Sequence, residues 1–257
     1  LLTIEDSAFR NVSIKTIVIP NSVTSIGAGA FQGCPLESIT LPFVGKSRDA
    51  AAYEAVLGYI FGYTTTAYSE YQYSSAGYLE GSKYRSNKSN EFVEIQVSSV
   101  GNAIWQYSCY SKYGKVGYIY SSRSNVYGYI LESYLYYIPS TLMNVVITDA
   151  TVVPEEAFYN CEDITSVTLN NGVKTISVRA FKNCTALQSM SLPSSVTEVG
   201  SYAFYGCRNM MSVTLPNIAK INDYTFYNCS ALTEITLPET LTEIGNYVFY
   251  GTGLEKI

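Results

Sequence analysis

The 257-residue chain contains no histidine, a single tryptophan and few charged residues, which make up 14% of the total. The absence of histidine removes the commonest general base and the commonest transition-metal ligand in proteins. With 16 basic residues against 21 acidic ones, the chain also lacks the positive charge expected of a protein that binds nucleic acid. We therefore predict a non-enzymatic protein without catalytic residues, a metal site, a cofactor or a nucleic-acid partner.

Long apolar runs are missing as well. No uncharged apolar stretch approaches the ~20 residues that cross a bilayer, so no transmembrane segment is predicted within this sequence. The first residues also lack the basic region and apolar stretch of a secretory signal. The chain begins with Leu1, and residues 253–257 start a pattern that they do not complete. We expect a piece of a longer protein, whose targeting or anchoring segments would lie outside it.

What the chain does contain is a repeat of 22 or 23 residues, found in both of its ends. The repeat is marked by phenylalanines at Phe9, Phe31, Phe158, Phe181, Phe204, Phe226 and Phe249. Five of them are followed three residues later by a cysteine: Cys34, Cys161, Cys184, Cys207 and Cys229. One unit has too few apolar residues to form a core. The copies are therefore predicted to stack as coils that share one interior.

Each coil is predicted to begin with a short strand that a proline ends. In the unit LxxIxLPxxLxxIGxxxF, which spans residues 232–249, Ile235 and Leu237 point inward and Glu234 and Thr236 outward. A second short extended piece and a turn lead to the corner that carries the phenylalanine. Successive coils should lie ~4.8 Å apart, the spacing of hydrogen-bonded strands.

The units ESITLPFVG, SMSLPSSVTEVGSYAFYGC, SVTLPNIAKINDYTFYNC and EITLPETLTEIGNYVFYG resemble the BspA-type leucine-rich repeat. The resemblance covers residues 1–42 and about 139–257. It implies a right-handed leucine-rich-repeat solenoid of the α/β horseshoe class, dominated by strands, with short turns or 3₁₀ segments. It also implies a secreted or cell-surface protein, mostly of anaerobic bacteria, that acts in adhesion or protein–protein contact and has no catalytic residues to transfer.

The repeat fails between Phe31 and Phe158. We predict N-terminal repeats over residues 1–42, an inserted Tyr-rich antiparallel β subdomain over 43–138, and C-terminal repeats of the same solenoid over 139–257. The insert contains 18 of the 25 tyrosines, the only tryptophan, and Cys109.

The insert is predicted to contain one short helix followed by strands. Ser47 to Leu57 is rich in alanine, with Ser47 as a possible N-cap. Residues 62–90 indicate loops or irregular strands. Four alternating runs are separated by Gly and Asn, which is typical of an antiparallel meander. They span residues 91–98, 103–110, 115–121 and 126–131.

Two sets of residues are candidates for ligand binding. The first is the set of insert aromatics Trp105, Tyr107, Tyr118 and Tyr120, because tyrosine offers a large rigid contact area together with a hydroxyl. The alternative is that these rings form the core of the inserted sheet. The second set is the outward hydroxyl face of the repeat strands, Thr168, Ser191, Thr214 and Thr236. The alternative there is a solvated sheet face with contacts between neighbouring strands.

Cysteine and tyrosine also recur in columns. We interpret the column cysteines as buried, reduced thiols that fill a narrow corner, although their ~5 Å spacing would also allow a disulfide between coils. Tyrosines flank several of the repeat phenylalanines: Tyr202, Tyr224 and Tyr247 before them, and Tyr159, Tyr205, Tyr227 and Tyr250 after them. We expect semi-exposed rings that stack between coils and serve packing.

The leading hypothesis is an extracellular or cell-surface solenoid that presents the Tyr-rich insert to a protein or glycoprotein ligand, for example host extracellular matrix or a neighbouring cell. One alternative is carbohydrate binding by the insert, with Trp105 and a tyrosine stacked on a sugar ring. Another is a passive structural stalk of a larger surface protein.

Overall fold

A computed structural model of the chain describes residues 1–66, 83–85, 92–99, 104–111, 114–122 and 133–256, with side-chain surroundings for 1–52, 54–62 and 136–256. Nineteen short strands and two 3₁₀ helices, Ala52–Glu54 and Leu57–Phe61, are found in these residues. The first ten strands are β1 (Thr3–Ile4), β2 (Thr16–Val18), β3 (Ser25–Ile26), β4 (Ser38–Leu41), β5 (Tyr63–Thr66), β6 (Lys83–Arg85), β7 (Phe92–Ser99), β8 (Ile104–Ser111), β9 (Gly114–Ser122) and β10 (Ser133–Tyr136). The other nine are β11 (Asn144–Ile147), β12 (Val152–Val153), β13 (Ser166–Thr168), β14 (Thr175–Ile176), β15 (Ser189–Ser191), β16 (Glu198–Val199), β17 (Ser212–Thr214), β18 (Lys220–Ile221) and β19 (Glu243–Ile244).

The repeats form a strand-dominated parallel solenoid. The first strands of neighbouring coils pair in parallel, so that β2, β4, β11 and β13 make one sheet and β15 and β17 another. Val145 of β11 lies opposite Ile39 of β4 and Val167 of β13. In β13, β15 and β17 the central apolar residue is buried and its two neighbours are exposed. The period of two thus places one side chain of each of these strands in the core. The second, two-residue strands also pair in parallel, as β1–β3, β12–β14–β16 and β18–β19.

The predicted phenylalanine column is confirmed. The ring centroids of Phe158 and Phe181 lie 4.9 Å apart and those of Phe181 and Phe204 5.3 Å apart, with interplanar angles of 7° and 2°. The stack continues over 5.6 Å to Phe226 and 5.9 Å to Phe249. The first four of these side chains are fully buried. The coils therefore share one interior and are in register.

The solenoid continues across the break in the repeat. Ser38 of β4 is paired with Asn144 of β11, 106 positions further along the chain. Asn144 is paired in turn with Ser166 of β13, only 22 positions further. Every residue of β4 has a partner in β11. The additional residues therefore leave the stack and return to it between two adjacent strands.

Residues at the start of the predicted insert belong to the solenoid core. Phe43, Leu57 and Phe61 are buried and join the same hydrophobic cluster as the repeats. The backbone N–H of Phe31 donates to the carbonyl of Ile60 over 2.9 Å, and the rings of Phe31 and Phe61 lie 6.5 Å apart. Phe61 thus takes the position of the missing corner phenylalanine. We call residues 43–62 the irregular coil.

The helix predicted over Ser47 to Leu57 is wrong. The structure has the two 3₁₀ helices there, and no side chain caps either of them. The N–H of Lys46 donates to the carbonyl of Glu54 over 2.8 Å, and that of Leu57 donates to Ala157 of the next coil over 2.8 Å. These bonds hold the backbone in the geometry of a solenoid coil. Hydrogen bonding to neighbouring segments thus overrides the helix propensity of the alanines.

The predicted meander is found in part. Strands β7, β8 and β9 pair antiparallel in that order, and β6 adds to β7. The fourth predicted run, 126–131, lies outside the described residues, as does most of the predicted loop region 62–90. Strands β5 and β10 also pair antiparallel, with Thr66 opposite Ser133. The N–H of Tyr137 donates to the carbonyl of Gly62 over 3.0 Å. The outgoing and returning chains are therefore held side by side at the edge of the irregular coil.

Candidate binding surfaces

The predicted insert aromatics lie on two neighbouring strands, Trp105 and Tyr107 on β8 and Tyr118 and Tyr120 on β9. The register pairs Tyr118 with Ser108 and Tyr120 with Gln106, positions that alternate with Trp105 and Tyr107 along β8. Directly paired residues share a face of an antiparallel sheet. Trp105 and Tyr107 therefore occupy positions on one face, and Tyr118 and Tyr120 occupy positions on the other. Their side chains lie outside the described part of the structure. Ligand binding by these four residues stays a prediction.

The outward hydroxyl residues form a regular face on the repeats. Thr168, Ser191 and Thr214 are exposed at the ends of β13, β15 and β17, and Thr236 is exposed in the following coil. Ser191 is directly paired with Thr214. Hydroxyls thus follow one another at the strand spacing, ~4.8 Å. These positions carry none of the tyrosine, tryptophan or arginine side chains that usually contribute most to an interface, and their role in binding also stays a prediction.

The tyrosines that flank the phenylalanine column form two further columns, which we call the tyrosine ladder. The first column is Tyr202, Tyr224 and Tyr247, and the second is Tyr205, Tyr227 and Tyr250. Ring centroids in the first column lie 4.7 and 5.3 Å apart, and those in the second 4.8 and 4.8 Å apart. Tyr247 and Tyr250 are exposed and the other four are half-buried. The predicted stacking is confirmed for these six rings, whereas Tyr159 is followed in the next coil by Lys182, whose ammonium lies 5.6 Å from its ring centroid.

The first column of the ladder occupies a strained backbone position. Tyr202, Tyr224 and Tyr247 have φ angles of 60°, 57° and 53°, in the left-handed region. Gly29 takes the same position in the second coil, with φ of 63°. A side chain larger than hydrogen in this conformation costs roughly 1–2 kcal/mol. The same position is also left-handed in the coils where it holds Ser7, Glu156 and Arg179, so this conformation belongs to the corner of the repeat and not to the tyrosines in particular.

Each tyrosine column is preceded, one coil earlier, by a basic residue. Arg179 and Lys182 occupy the equivalent positions one coil earlier, and the Arg179 guanidinium carbon lies 5.8 Å from the Tyr202 ring centroid. The Lys182 ammonium lies 4.9 Å from the ring centroid of Tyr205 and 5.6 Å from that of Tyr159. Burial lowers the pKa of Lys182, and the neighbouring Arg179 charge lowers it further. Arg179 has carboxylate partners in Glu155 and Glu156, at 3.4 and 3.5 Å.

A cleft of about 610 Å³ lies between the irregular coil and the coil that follows the insert. Much of its lining is small and apolar, including Ala51, Ala55 and Ala157. Glu156 also lines it, and burial raises the pKa of this carboxyl group, an effect that Arg179 partly offsets. The amide nitrogen of Asn160 is buried there without a hydrogen-bond partner among the described residues.

The unpartnered nitrogen of Asn160 has a structural origin. Its oxygen accepts a hydrogen bond over 2.8 Å from the side-chain nitrogen of Asn183, which occupies the same position in the next coil. The preceding irregular coil has no asparagine near its corner, which reads Phe61-Gly62-Tyr63. A short asparagine ladder between coils therefore ends at Asn160.

The column cysteines are buried free thiols in the described coils. The sulfur of Cys184 donates to the carbonyl of Phe158 over 3.0 Å, that of Cys207 to Phe181 over 3.1 Å, and that of Cys229 to Phe204 over 3.1 Å. Burial raises the pKa of Cys229 to about 12. The same cause raises the pKa of Cys184 and Cys207 well above the ordinary value of 9.0. These thiols are therefore poor nucleophiles and serve to join consecutive corners.

A parallel stack of 22- or 23-residue coils, with its exposed surfaces formed by strands and corners, defines a leucine-rich-repeat protein. The model of the BspA-type leucine-rich repeat region matches six copies over residues 2–58 and 151–257, more than half of the chain. The chain therefore belongs to the BspA-type leucine-rich repeat family. Repeats of this family are generally non-enzymatic, and leucine-rich-repeat proteins generally bind other proteins.

Several solved structures are similar to this chain. A leucine-rich repeat protein from Bacteroides ovatus is 22% identical with a TM-score of 0.48, and the match covers 95% of this chain but 45% of that one. The leucine-rich repeat protein of T. pallidum is 20% identical with a TM-score of 0.42, over 98% of this chain and 70% of the other. A leucine-rich cell surface protein from Faecalibacterium prausnitzii is 18% identical with a TM-score of 0.39, over 100% and 64%. A comparison with curated proteins found no match.

Within the residues that the structure describes, no helix has the length and apolar character needed to cross a membrane.

Proposed function

We propose that this chain is a non-enzymatic binding protein of the cell surface or the extracellular space, in which the solenoid presents the Tyr-rich insert to a protein or glycoprotein ligand. The observation that carries the proposal is the pairing of β4 with β11, which leaves the stack continuous on both sides of the insert. A continuous stack is a rigid support, and recognition segments are commonly displayed from such supports. Family membership supports protein contact as the general mode of action.

The composition of the insert indicates how binding would work. The insert is rich in tyrosine and serine and has few charges. Affinity would then come from aromatic burial and hydroxyl hydrogen bonds rather than from charge pairs, and it would depend weakly on salt. Host extracellular matrix proteins and the surface proteins of neighbouring cells are the ligands to test first.

The pairing of β5 with β10 allows a clean test. Thr66 lies opposite Ser133, so residues 67–132 can be replaced by Asn-Gly, which forms a two-residue hairpin turn between antiparallel strands. Binding of the intact chain and of this short-turn variant to immobilised matrix proteins would be compared by surface plasmon resonance. We expect the variant to keep its thermal unfolding transition and to lose binding.

Three other outcomes would contradict the proposal. Unchanged binding by the short-turn variant would assign the contact to the repeats. Binding to glycans with no binding to deglycosylated proteins would identify a carbohydrate-binding module. A lack of binding by the intact chain to every protein tested would favour a structural stalk.

A further inference from the structure

We propose that Asn171 is a site of spontaneous covalent modification, at which the side chain loses its amide nitrogen as ammonia and residue 171 becomes a mixture of aspartate and isoaspartate. The reacting groups are the side-chain carbonyl carbon of Asn171 and the backbone nitrogen of Gly172, and the co-reactant is water. This modification is independent of the proposed function, because it changes the covalent structure of the repeats whatever ligand the chain binds.

Asn171 and Gly172 are the two central residues of a turn between β13 and β14, which we call the Asn-Gly turn. The N–H of Val173 donates to the carbonyl of Asn170 over 3.3 Å and closes it. Both central residues are exposed. In the part of the chain that the structure describes, neither the Asn171 side chain nor the N–H of Gly172 has a hydrogen-bond partner. The two reacting groups are therefore adjacent, in contact with water and not held by other bonds.

The corresponding turns of three other coils have a hydroxyl residue where this turn has glycine. Their hydroxyl groups donate to a backbone carbonyl one coil earlier: Ser22 to Leu1 over 3.0 Å, Ser195 to Val173 over 2.6 Å and Thr240 to Ile218 over 3.1 Å. The residue two positions before each hydroxyl residue is a proline, at Pro20, Pro193 and Pro238. The common pattern of these turns is therefore Pro-x-Ser or Pro-x-Thr.

The Asn-Gly turn makes the same connection with a different side chain. The amide nitrogen of Asn170 donates to the carbonyl of Ala150 over 3.0 Å, and its oxygen accepts from the N–H of Ala150 over 3.0 Å. A Cβ atom on residue 172 would lie 2.7 Å from that amide nitrogen. Glycine thus allows Asn170 to make both bonds. The same lack of a side chain leaves the backbone nitrogen of Gly172 open to the neighbouring Asn171.

The reaction at Asn171 is balanced by water alone. The nitrogen of Gly172 loses its proton to solvent and forms a bond to the side-chain carbonyl carbon of Asn171. The bond between that carbon and the amide nitrogen breaks, and the nitrogen takes up a proton and leaves as ammonia. The product is a five-membered succinimide ring. Water then opens the ring at one carbonyl or the other, which gives aspartate or isoaspartate, and nothing is oxidised or reduced.

The modification changes both the charge and the backbone of the turn. The new carboxylate takes the formal net charge of the chain from −5 to −6. Isoaspartate also adds one carbon atom to the main chain, inside the turn that the 3.3 Å bond from Val173 closes. That turn adjoins the bonds between Asn170 and Ala150, which join two coils. We therefore expect the isoaspartate form to unfold at a lower urea concentration than the parent chain. Asn171→Asp, an exposed substitution with a normal backbone, should keep the parent midpoint.

Peptide mapping of the aged chain tests the proposal. The intact folded chain is incubated in water labelled with oxygen-18, at neutral and at mildly alkaline pH, and then digested in ordinary water. Conversion before the digestion is thus marked by the heavy oxygen. We expect aspartate and isoaspartate at residue 171, each with one heavy oxygen. Conversion should be faster at the higher pH, because the nucleophile is a deprotonated amide nitrogen.

Asn21 is a matched control within the same chain. It occupies the equivalent position in the exposed turn closed by Val23 and Pro20. It is followed by Ser22 instead of glycine, and its side-chain oxygen accepts from the hydroxyl of Thr148 over 2.5 Å. Asn21 should convert at least about tenfold more slowly than Asn171, because a Cβ on the following residue hinders approach to the backbone nitrogen.

A double variant isolates the contribution of the glycine. Asn170→Pro together with Gly172→Ser gives this turn the pattern of residues 193–195 and retains Asn171. The introduced hydroxyl can donate to the carbonyl of Ala150 as Ser195 does to Val173, so the thermal unfolding transition should be kept. Asn171 should react at least about tenfold more slowly in this variant. Asn171→Gln, at an exposed position, should give no product over the same period, since its longer side chain would have to close a six-membered ring.

Four results would overturn the assignment. The first is an unchanged Asn171 in the folded chain under conditions that convert an unstructured peptide of the same sequence. The second is conversion of Asn21 at the same rate, and the third is an equal rate in the double variant. The fourth is aspartate without isoaspartate, which would exclude the succinimide. An isoaspartate form with the urea midpoint of the parent chain would contradict the expected effect on the coils.

Discussion

At the scale of single residues, the corner of each coil depends on two backbone positions in the left-handed region. The position two residues after the phenylalanine is asparagine or glycine in the seven regular coils: Asn11, Gly33, Asn160, Asn183, Gly206, Asn228 and Gly251, with φ between 56° and 75°. Glycine and asparagine are the residues that adopt this conformation most readily. The alternation between them is therefore a backbone requirement, which the spacing of phenylalanine and cysteine does not reveal.

Substitution at Gly206 tests this requirement. A Cβ atom added there would lie 2.4 Å from the side-chain oxygen of Asn183. Gly206→Ala should lower the free energy of unfolding by about 1–2 kcal/mol, the cost of a left-handed alanine. Gly206→Asn should cost less, because it can repeat the 2.8 Å hydrogen bond between Asn183 and Asn160. Urea unfolding measures both, and equal losses for the two variants would contradict the explanation.

The buried thiols predict a pH dependence of stability. Burial raises the pKa of Cys229 from 9.0 to about 12. In the unfolded chain this thiol loses its proton near its ordinary pKa, so the unfolded state is favoured as pH rises from about 9 towards 12. Below pH 9 both states are protonated and no dependence arises from this group. The decline should be on the order of 1 kcal/mol for each pH unit. Urea unfolding of Cys229→Ala should show a shallower decline between pH 9 and 11, whereas a decline identical to that of the parent chain would refute the assignment.

At the scale of elements, the repeat could be predicted from the sequence and the irregular coil could not. The coil length, the strand pattern and the columns all follow from a fixed spacing of phenylalanine, cysteine and proline. Residues 43–62 lack that spacing, yet they bury Phe43, Leu57 and Phe61 in the common core. The available signal was the dipeptide Ile60-Phe61 before a glycine, which resembles the Ala-Phe corner of the other units.

The regular spacing of the repeat also determines which features of the candidate surfaces could be predicted from the sequence. Outward positions of the repeat strands follow from the period of two, so Thr168, Ser191 and Thr214 are exposed as predicted. Stacking of the tyrosine columns follows from the repeat as well. The cations that precede these columns, Arg179 and Lys182, are not predictable from tyrosine spacing, because the earlier coils carry no constant residue at these two positions.

Truncation of Phe61 tests whether the irregular coil is part of the core. Phe61→Ala should lower the free energy of unfolding by about 3–5 kcal/mol, as expected for a fully buried phenylalanine. Phe181→Ala, within the regular stack, should have a similar effect. Phe9→Ala should have a smaller one, since Phe9 is only half-buried. A loss below about 1 kcal/mol for Phe61→Ala, within the range of surface substitutions, would place residues 43–62 outside the core.

At the scale of the whole molecule, the central claim is that one continuous stack of coils accepts a long insert between two adjacent strands. The insert changes neither the register of β4 and β11 nor the parallel pairing of the coils on either side. A solenoid tolerates such an insertion because each coil contacts only its neighbours. The length and sequence of the insert can therefore change without disturbing the stack.

A cross-link between β4 and β11 tests this claim most directly. Ser38 and Asn144 are directly paired on the outward side of the sheet. Neighbouring strands lie ~4.8 Å apart, within the Cα separation that a disulfide allows. The pair Ser38→Cys and Asn144→Cys should therefore give a disulfide-linked peptide in mass spectrometry after mild oxidation. The control pair, Ser38→Cys and Ser166→Cys, is two strands apart, at ~9.6 Å, and should give none. A missing link in the first pair, or an equal yield in both, would mean that the insert interrupts the stack.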